Sequence, residues 1–405
     1  MEHINKIAKP DIKKASGLLL AISIIFVAAN LRAPITSVGP LVSYIRESTG
    51  ISNSVAGLLT TVPLLAFTFM SPFAPKLARR YGVERVILYA LIFIGIGTLG
   101  RSISSSIALF GGTMLIGLSI AVCNVLIPSL VKRDFSGKIG LMTGIYSVSM
   151  NICGALASGI SVPLARDAGF GWQGALSCWL VLTAVGIICW LPRMSRSRQV
   201  MAAVSQANTT NTGETKLWRS PLAWQVTLFM GLQSFIFYNL VAWFPEILNS
   251  RGMTSDTAGW MLSLIQFSML PFTFVIPIIA SRMQNQRMLV VITTLLYLLG
   301  IGGLLIDHNW LVPLCSVLIG IAGAGSFSLA MLFFTLRTRT AHTAAELSGM
   351  AQSVGYLLAA VGPLVFGMIH DTTHHWTVSI VMLIAASLLI FVFGMSAARN
   401  RYVGD

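Results

Sequence analysis

Leu18 to Leu41 reads LLLAISIIFVAANLRAPITSVGPL, twenty-four residues with one charge, Arg32, near the centre. A helix of about 20 apolar residues crosses the hydrocarbon core of a bilayer, so this run is long enough to span. An arginine at such a depth costs about 2.5–3.5 kcal/mol on insertion scales and more by simulation. A chain keeps that residue where it meets protein, water or a ligand. The run therefore predicts a membrane-spanning helix that carries a cationic site.

The rest of the chain repeats the pattern. Of its 405 residues, 55% are hydrophobic and 10% charged, and the mean hydropathy is +0.80. Soluble domains carry about 25% charged residues. Twelve apolar runs are long enough to cross: 17–44, 52–74, 84–101, 107–131, 140–165, 173–191, 221–248, 257–279, 288–306, 311–335, 347–370 and 377–396. Period-2 alternation is absent, which argues against a barrel. The predicted fold is an all-α polytopic membrane protein with twelve transmembrane helices in two six-helix halves. The net charge of +14 does not mark a nucleic-acid partner, because the basic residues punctuate apolar runs instead of clustering on one domain.

Lys and Arg set the expected orientation. With the N-terminus inside, twenty-two of the 27 fall in inner segments and four (Arg46, Arg101, Arg166, Arg251) in outer ones; Arg32 is the remaining one. This asymmetry predicts both termini in the cytoplasm. The first run lacks a small-residue cleavage site and reads as a retained span. Arg193 to Arg219 is polar, rich in Ser, Thr, Asn and Gln, and reads as a flexible cytoplasmic linker. The expected organisation is an N-terminal half at 1–192, a linker at 193–219 and a C-terminal half at 220–405.

The halves resemble each other. Gly50 to Gly57 corresponds to Gly252 to Gly259, Ile116-Gly117 to Ile319-Gly320, Thr143-Gly144 to Ser348-Gly349, and Asp167 with Trp172 to Asp371 with Trp376. The offset stays between 202 and 205 residues. Such a duplication predicts a ligand site between the halves near the membrane midplane.

Several strings carry a family resemblance. Twelve spans, a central loop and two parallel halves resemble the major facilitator superfamily. The loop Pro75-Lys76-Leu77-Ala78-Arg79-Arg80-Tyr81-Gly82-Val83-Glu84-Arg85 resembles its signature Gly-x-x-x-Asp-Arg-x-Gly-Arg-Arg. Arg80 and Gly82 fit; Pro75 stands for the first Gly and Arg79 for the Asp. The resemblance implies a gating role for Arg79, Arg80 and Gly82. Asn30-Leu31-Arg32-Ala33-Pro34, Gly39-Pro40-Leu41, Gly57 to Leu65, Phe170 to Ala175 and Leu347 to Tyr356 resemble the cyanate and 2-nitroimidazole transporter family more narrowly. That resemblance implies a multi-pass carrier of the bacterial inner membrane for a small solute.

Arg32 leads the candidate substrate-binding residues. On a continuous helix Ala28, Ala29, Thr36 and Gly39 share its face and leave room for a ligand. Pro34 and Pro40 break the hydrogen-bond ladder and bend the outer part of that span. Asn30 lies about 200° around the helix from Arg32 and does not share its ligand. All thirteen carboxylates fall at span ends or in loops by these bounds. A guanidinium in a water-filled cavity attracts an anion, and its fork suits carboxylate-like groups. The alternative is a structural arginine that snorkels or binds a carbonyl.

Ser348, Gln352 and Tyr356 form one helical stripe of span eleven, able to donate to an anion, a nitro group or a carbonyl. Asn124 in span four, Tyr146 and Asn151 in span five, Gln233, Tyr238 and Asn239 in span seven, and Gln266 in span eight complete the candidates. For each, interhelical hydrogen bonding is the competing role.

The remaining motifs exclude more than they include. Cys123, Cys153, Cys178, Cys189 and Cys315 lie inside apolar runs and form no Cys-x-x-Cys pair. His370, His374 and His375 with Asp371 match no structural zinc spacing. There is no Walker string, and no nucleophile–base pair at plausible spacing, so neither an ATP-driven pump nor an enzyme is expected. No cofactor or metal is expected. The expected partners are the lipid bilayer and a small-molecule substrate, with no nucleic acid, and the chain is expected to be monomeric. The reading is a secondary active transporter of a small, anionic solute, working by alternating access, with Ser348, Gln352 and Tyr356 closing around the solute at Arg32. The alternatives are an efflux carrier for neutral nitro-heterocycles or other drugs, and a receptor that binds without translocating.

Overall fold

The computed structural model describes residues 8–51, 53–103, 105–207, 217–306 and 308–404. Among them there are helices and turns and no strand. In chain order the α-helices are α1 (Ala8–Asn30), α2 (Ala33–Thr36), α3 (Val42–Thr49), α4 (Asn53–Met70), α5 (Ala74–Tyr81), α6 (Val83–Arg101), α7 (Ser106–Asp134), α8 (Ile139–Arg166), α9 (Gly171–Ser177), α10 (Trp179–Ala207), α11 (Pro221–Asn249), α12 (Ser255–Arg282), α13 (Arg287–Gly303), α14 (Val312–Leu336), α15 (Ala341–Thr373) and α16 (Thr377–Ala397).

By length and composition, ten helical segments of the described residues suffice to cross a membrane. The two remaining expected spans, 52–74 and 288–306, fall on α4 and α13, whose described apolar stretches, Thr61–Met70 and Arg287–Gly303, are shorter. The segment read as a flexible linker begins as helix, because α10 continues to Ala207. Residues 208–216 of that linker lie outside the described residues.

The chain divides into two compact units. The first comprises Met1–Pro63, Lys76–Ile127 and Ser149–Gly213; the second comprises Leu64–Pro75, Pro128–Val148 and Glu214–Asp405. Leu64–Pro75 and Pro128–Val148 lie within the expected N-terminal half, yet they pack with the C-terminal residues.

In the first unit, α10 packs against both α1 and α6. The end of α6 meets α7 where side chains vanish: a Cβ on Gly97 would stand 2.8 Å from the Gly112 carbonyl and from Ile116 Cγ1. A separate apolar cluster, Val38, Leu41, Ile45, Leu59, Leu109, Trp172 and Leu176, anchors the segment that follows Pro34. The Trp172 indole donates to Ser48 Oγ at 2.6 Å.

The second unit repeats the α6–α7 device 203 residues on. A Cβ on Gly300 would stand 2.8 Å from Ile319 Cγ1 and 3.1 Å from the Cys315 carbonyl. Its added segments are held by two further glycines. A Cβ on Gly144 would meet the Phe274 carbonyl at 2.8 Å, and one on Gly349 the Ser71 carbonyl at 2.7 Å. Gly144 and Gly349 are matched positions of the repeat. Lys132 Nζ donates to the Thr335 carbonyl at 2.5 Å and to that of Thr338, where α14 ends. Cations suit that end of a helix dipole. Just beyond it, Arg337 is buried and donates to the carbonyls of Ala397 (2.7 Å) and Ala398 (3.0 Å) and to Gln286 Oε1. Burial pushes its guanidinium pKa down to about 10, which leaves it charged at neutral pH.

Candidate functional site

The first long apolar run is not one helix. Pro34 has no N–H to offer the Asn30 carbonyl, so the ladder stops and α1 ends at Asn30. Arg32 stands in the break, at φ −119° and ψ −45°, as the residue before α2. The expectation of a single bent helix is therefore corrected, and the face shared with Ala28 and Ala29 does not continue through Arg32.

A break frees carbonyls, and a buried carbonyl needs a donor. The Arg32 carbonyl accepts from the backbone of Ile35 and Thr36, each at 3.0 Å. Thr36 Oγ1 lies 3.1 Å from the same carbonyl and 2.9 Å from the carbonyl of Gly154. Pro40 cannot serve the Thr36 carbonyl, which takes Ser158 Oγ at 3.2 Å instead. The Val38 N–H turns to Ile35 at 3.3 Å, and the Pro34 carbonyl takes Arg101 Nη1 together with Ser37 Oγ at 3.3 Å. Asn30 is fully buried: its amide donates to Phe26 (2.8 Å) and Leu182 (3.1 Å), and its Oδ1 accepts from Thr183 Oγ1 at 2.7 Å. It therefore faces α10, and because α1 ends at Asn30 the helical angle expected between Asn30 and Arg32 does not apply.

Arg32 is half-buried. Its stem fills the notch left by Gly154 on α8; a Cβ there would stand 2.5 Å from Arg32 Cγ. Asn151 sits one turn earlier on α8, half-buried, and its Nδ2 meets no acceptor among the described residues. The first unit thus brings Arg32 and Thr36 against α8 at Gly154, one helical turn from Asn151. Asn124 is half-buried on α7.

The second unit forms an aromatic and amide cluster. Tyr356 packs against Phe67 (ring centroids 4.8 Å) and Tyr238 (6.4 Å). One turn away on α15, Gln352 donates to Ser348 Oγ at 2.8 Å, and both are fully buried. Gln233 donates to Ser234 Oγ on its own helix at 2.8 Å. Asn239 fills a notch where Gly362 has no side chain and donates to Phe235 at 2.7 Å. Gln266 lines a different crevice with Phe237, Leu262, Met269 and Tyr297. Tyr146 is buried on α8.

The residues implied to gate fall at the α5–α6 junction. Arg79 and Arg80 are exposed, and Arg80 lies 5.3 Å from the Tyr81 ring centre. Gly82 has φ +85°, a conformation that favours glycine, and starts α6. His370 stacks on Trp376 at 4.1 Å, next to Trp243.

Reading the sequence missed Arg101, which it counted with the outer segments at the end of span 84–101; it is 1% exposed. It also missed Gly154 and Ser158, whose spacing on α8 with Asn151 marks one helical stripe and was the available signal.

Residues 18–363, and again 234–402, match the Major Facilitator Superfamily. The chain is 47% identical over 395 residues, 97% of each chain, to the "Uncharacterized transporter YycB" of Bacillus subtilis (strain 168). It is 39% identical over 386 residues, 95% of this chain and 97% of the relative, to the 2-nitroimidazole transporter of Escherichia coli (strain K12). It is 25% identical over 354 residues, 87% and 90% of the two chains, to the cyanate transport protein CynX of the same organism. In fold it is similar to the proton:xylose symporter XylE, with a TM-score of 0.77 over 96% of this chain and 98% of that one, at 14% identity. These relatives are transporters and not enzymes. The chain belongs to the Major Facilitator Superfamily, as a multi-pass membrane protein.

Proposed function

We propose that this protein is a secondary active transporter of a small anionic solute in the bacterial inner membrane, with both termini cytoplasmic. Its six-helix halves, 1–192 and 220–405, alternate access through the 193–219 linker, and Arg32 receives the anion. The observation that supports this reading most is the seat of Arg32. Its backbone lies in a helix break, its stem is held by Gly154, Thr36 bonds to its carbonyl, and Asn151 lies one helical turn from Gly154. A half-buried guanidinium on a fixed stem presents a planar fork suited to carboxylate-like groups. The Arg79–Gly82 turn is the proposed gating element.

A second reading is favoured by a different observation. The Phe67–Tyr238–Tyr356 cluster beside Gln352 suits a neutral nitro-heterocycle, which stacks on rings and accepts amide hydrogen bonds. The 39% identical relative carries 2-nitroimidazole in its name.

A thermal-shift screen of the purified wild type, Arg32→Ala and Tyr356→Ala separates the two. Cyanate and benzoate are expected to stabilise the wild type and to lose that effect in Arg32→Ala. Stabilisation by 2-nitroimidazole that survives Arg32→Ala and disappears in Tyr356→Ala supports the second reading. Equal stabilisation of wild type and Arg32→Ala by every anion sinks the first.

A further inference from the structure

We infer that Arg101, the last residue of α6, is the positioning residue that sets the aim of Arg32, an inference that rests on the proposed role of Arg32 in binding solute. Arg101 is 1% exposed, and its Nε meets no acceptor among the described residues. Its Nη1 donates to the Pro34 carbonyl and its Nη2 lies 3.5 Å from Ser37 Oγ. Both acceptors are neutral. A buried charge held by neutral oxygens is costly, and an apolar side chain of similar volume is often as stable or more so. The guanidinium gives a charge-assisted donor to a buried carbonyl that otherwise takes the Ser37 hydroxyl at 3.3 Å.

That acceptor is the carbonyl the break leaves behind. In a regular helix the Val38 N–H would take the Pro34 carbonyl, but here it bonds to Ile35. Pro34 is two residues from Arg32, in the four-residue helix that Arg32 begins. A turn this short is not stable by itself. It is pinned on one side by Thr36 and Ser158 to α8, and on the other by Arg101 from α6. Arg101 is in turn fixed from behind by Gly112 of α7, where a Cβ would stand 2.5 Å from the Arg101 nitrogen and 2.8 Å from its Cβ. Three helices thereby fix the backbone that carries Arg32. Arg101 never touches the solute.

The test reads position 32 directly, without a solute. In a background with the five cysteines replaced, Arg32→Cys is labelled with the anionic thiol reagent MTSES in detergent, with Arg101 retained or changed to Gln or Lys. Arg101→Gln is expected to change the labelling rate by about tenfold or more, as an ångström-scale displacement of a reacting group does. Arg101→Lys keeps one donor for Pro34 and is expected within about threefold of the parent, by the same scale. Hydrogen exchange at Ile35–Leu41 should quicken in Arg101→Gln while α13–α16 stay protected. Labelling and exchange unchanged in Arg101→Gln overturn the proposal. If Arg101→Gln does not fold, Arg101→Lys decides by the same two readouts. Failure of both variants to fold also overturns it, since Arg101 is then a general packing element. Because no solute enters the measurement, loss of the anion reading in the thermal-shift screen leaves this outcome legible, and the reverse holds too.

Discussion

Gly154→Ala tests the notch that seats Arg32, with Gly159→Ala as its internal control. A Cβ on Gly154 would stand 2.5 Å from Arg32 Cγ, 3.3 Å from Cβ and 3.6 Å from Cδ. Carbons in good contact lie about 3.5–4.0 Å apart, so the stem must retreat by about 1 Å. Overpacking of this kind costs about 1–3 kcal/mol. Alanine returns about 0.5–1 kcal/mol of helix propensity. Gly159, on the same helix, has nothing within 4 Å of its built Cβ, so its alanine gains propensity without a clash. The difference between the two variants then isolates the clash at about 1–3 kcal/mol. The displaced fork also loses its geometry toward an anion, and a tenfold loss of affinity corresponds to about 1.4 kcal/mol. The assay is apparent melting of purified protein by tryptophan fluorescence, with and without benzoate or cyanate across a concentration series. Gly154→Ala should melt lower than Gly159→Ala and need about ten times more anion for the same shift. If the two alanines melt alike and respond alike to the anions, Arg32 is not held by Gly154, and its seat cannot supply selectivity.

Two further outcomes follow from the same packing logic. Asn30→Ala should destabilise by about 1–3 kcal/mol in the melting assay, because Thr183 and the Leu182 carbonyl lose a buried partner; adding Thr183→Val to Asn30→Leu should recover part of that loss, and strict additivity of the two changes would argue against the pairing. Lys132→Met keeps the stem and removes the donor to Thr335 and Thr338, so amide exchange should quicken at the end of α14 and stay unchanged in α16; exchange that stays slow at Phe333–Thr338 would show that the lysine does not cap that helix.

Hydropathy located ten of the twelve expected spans at crossing length, because burial in lipid is decided over about twenty residues at a time and a run of that length averages out local exceptions. The repeat was legible for a related reason. Gly97 with Ile116 and Gly300 with Ile319 make the same contact 203 residues apart, so the constraint on side-chain size survives in both copies. The helix break was only half legible. Pro34 announces that a carbonyl loses its donor. It does not say whether the helix bends or ends, because that depends on donors brought from elsewhere. Arg101 lies 67 residues away from Pro34 and Ser158 lies 122 residues from Thr36. Arg101 itself sits at the end of a span, where arginine usually faces water or headgroups. Nothing local distinguishes it from Arg251, which is only half-buried.

Polar residues inside spans pose the opposite difficulty. Gln233, Asn239 and Gln352 look alike in sequence, each one amide in an apolar run, and their fates depend on what the neighbouring helix presents. Asn239 packs its amide against Gly362 and donates to Phe235 of its own helix. Gln233 turns to Ser234 beside it. Gln352 reaches Ser348 one turn away, on the stripe that also carries Tyr356. Glue needs a small residue opposite, whereas a ligand-facing amide needs space and an aromatic or charged companion. By that criterion the glycines carry as much site information as the polar residues. Gly154 and Gly362 decide which side chain is anchored and which is consumed by packing. Sequence alone puts Arg32, Gln352, Tyr356 and Asn239 on one footing as candidates; pairing side chains with the glycines they face separates Arg32, whose stem rests on Gly154, from Asn239, buried to its amide against Gly362.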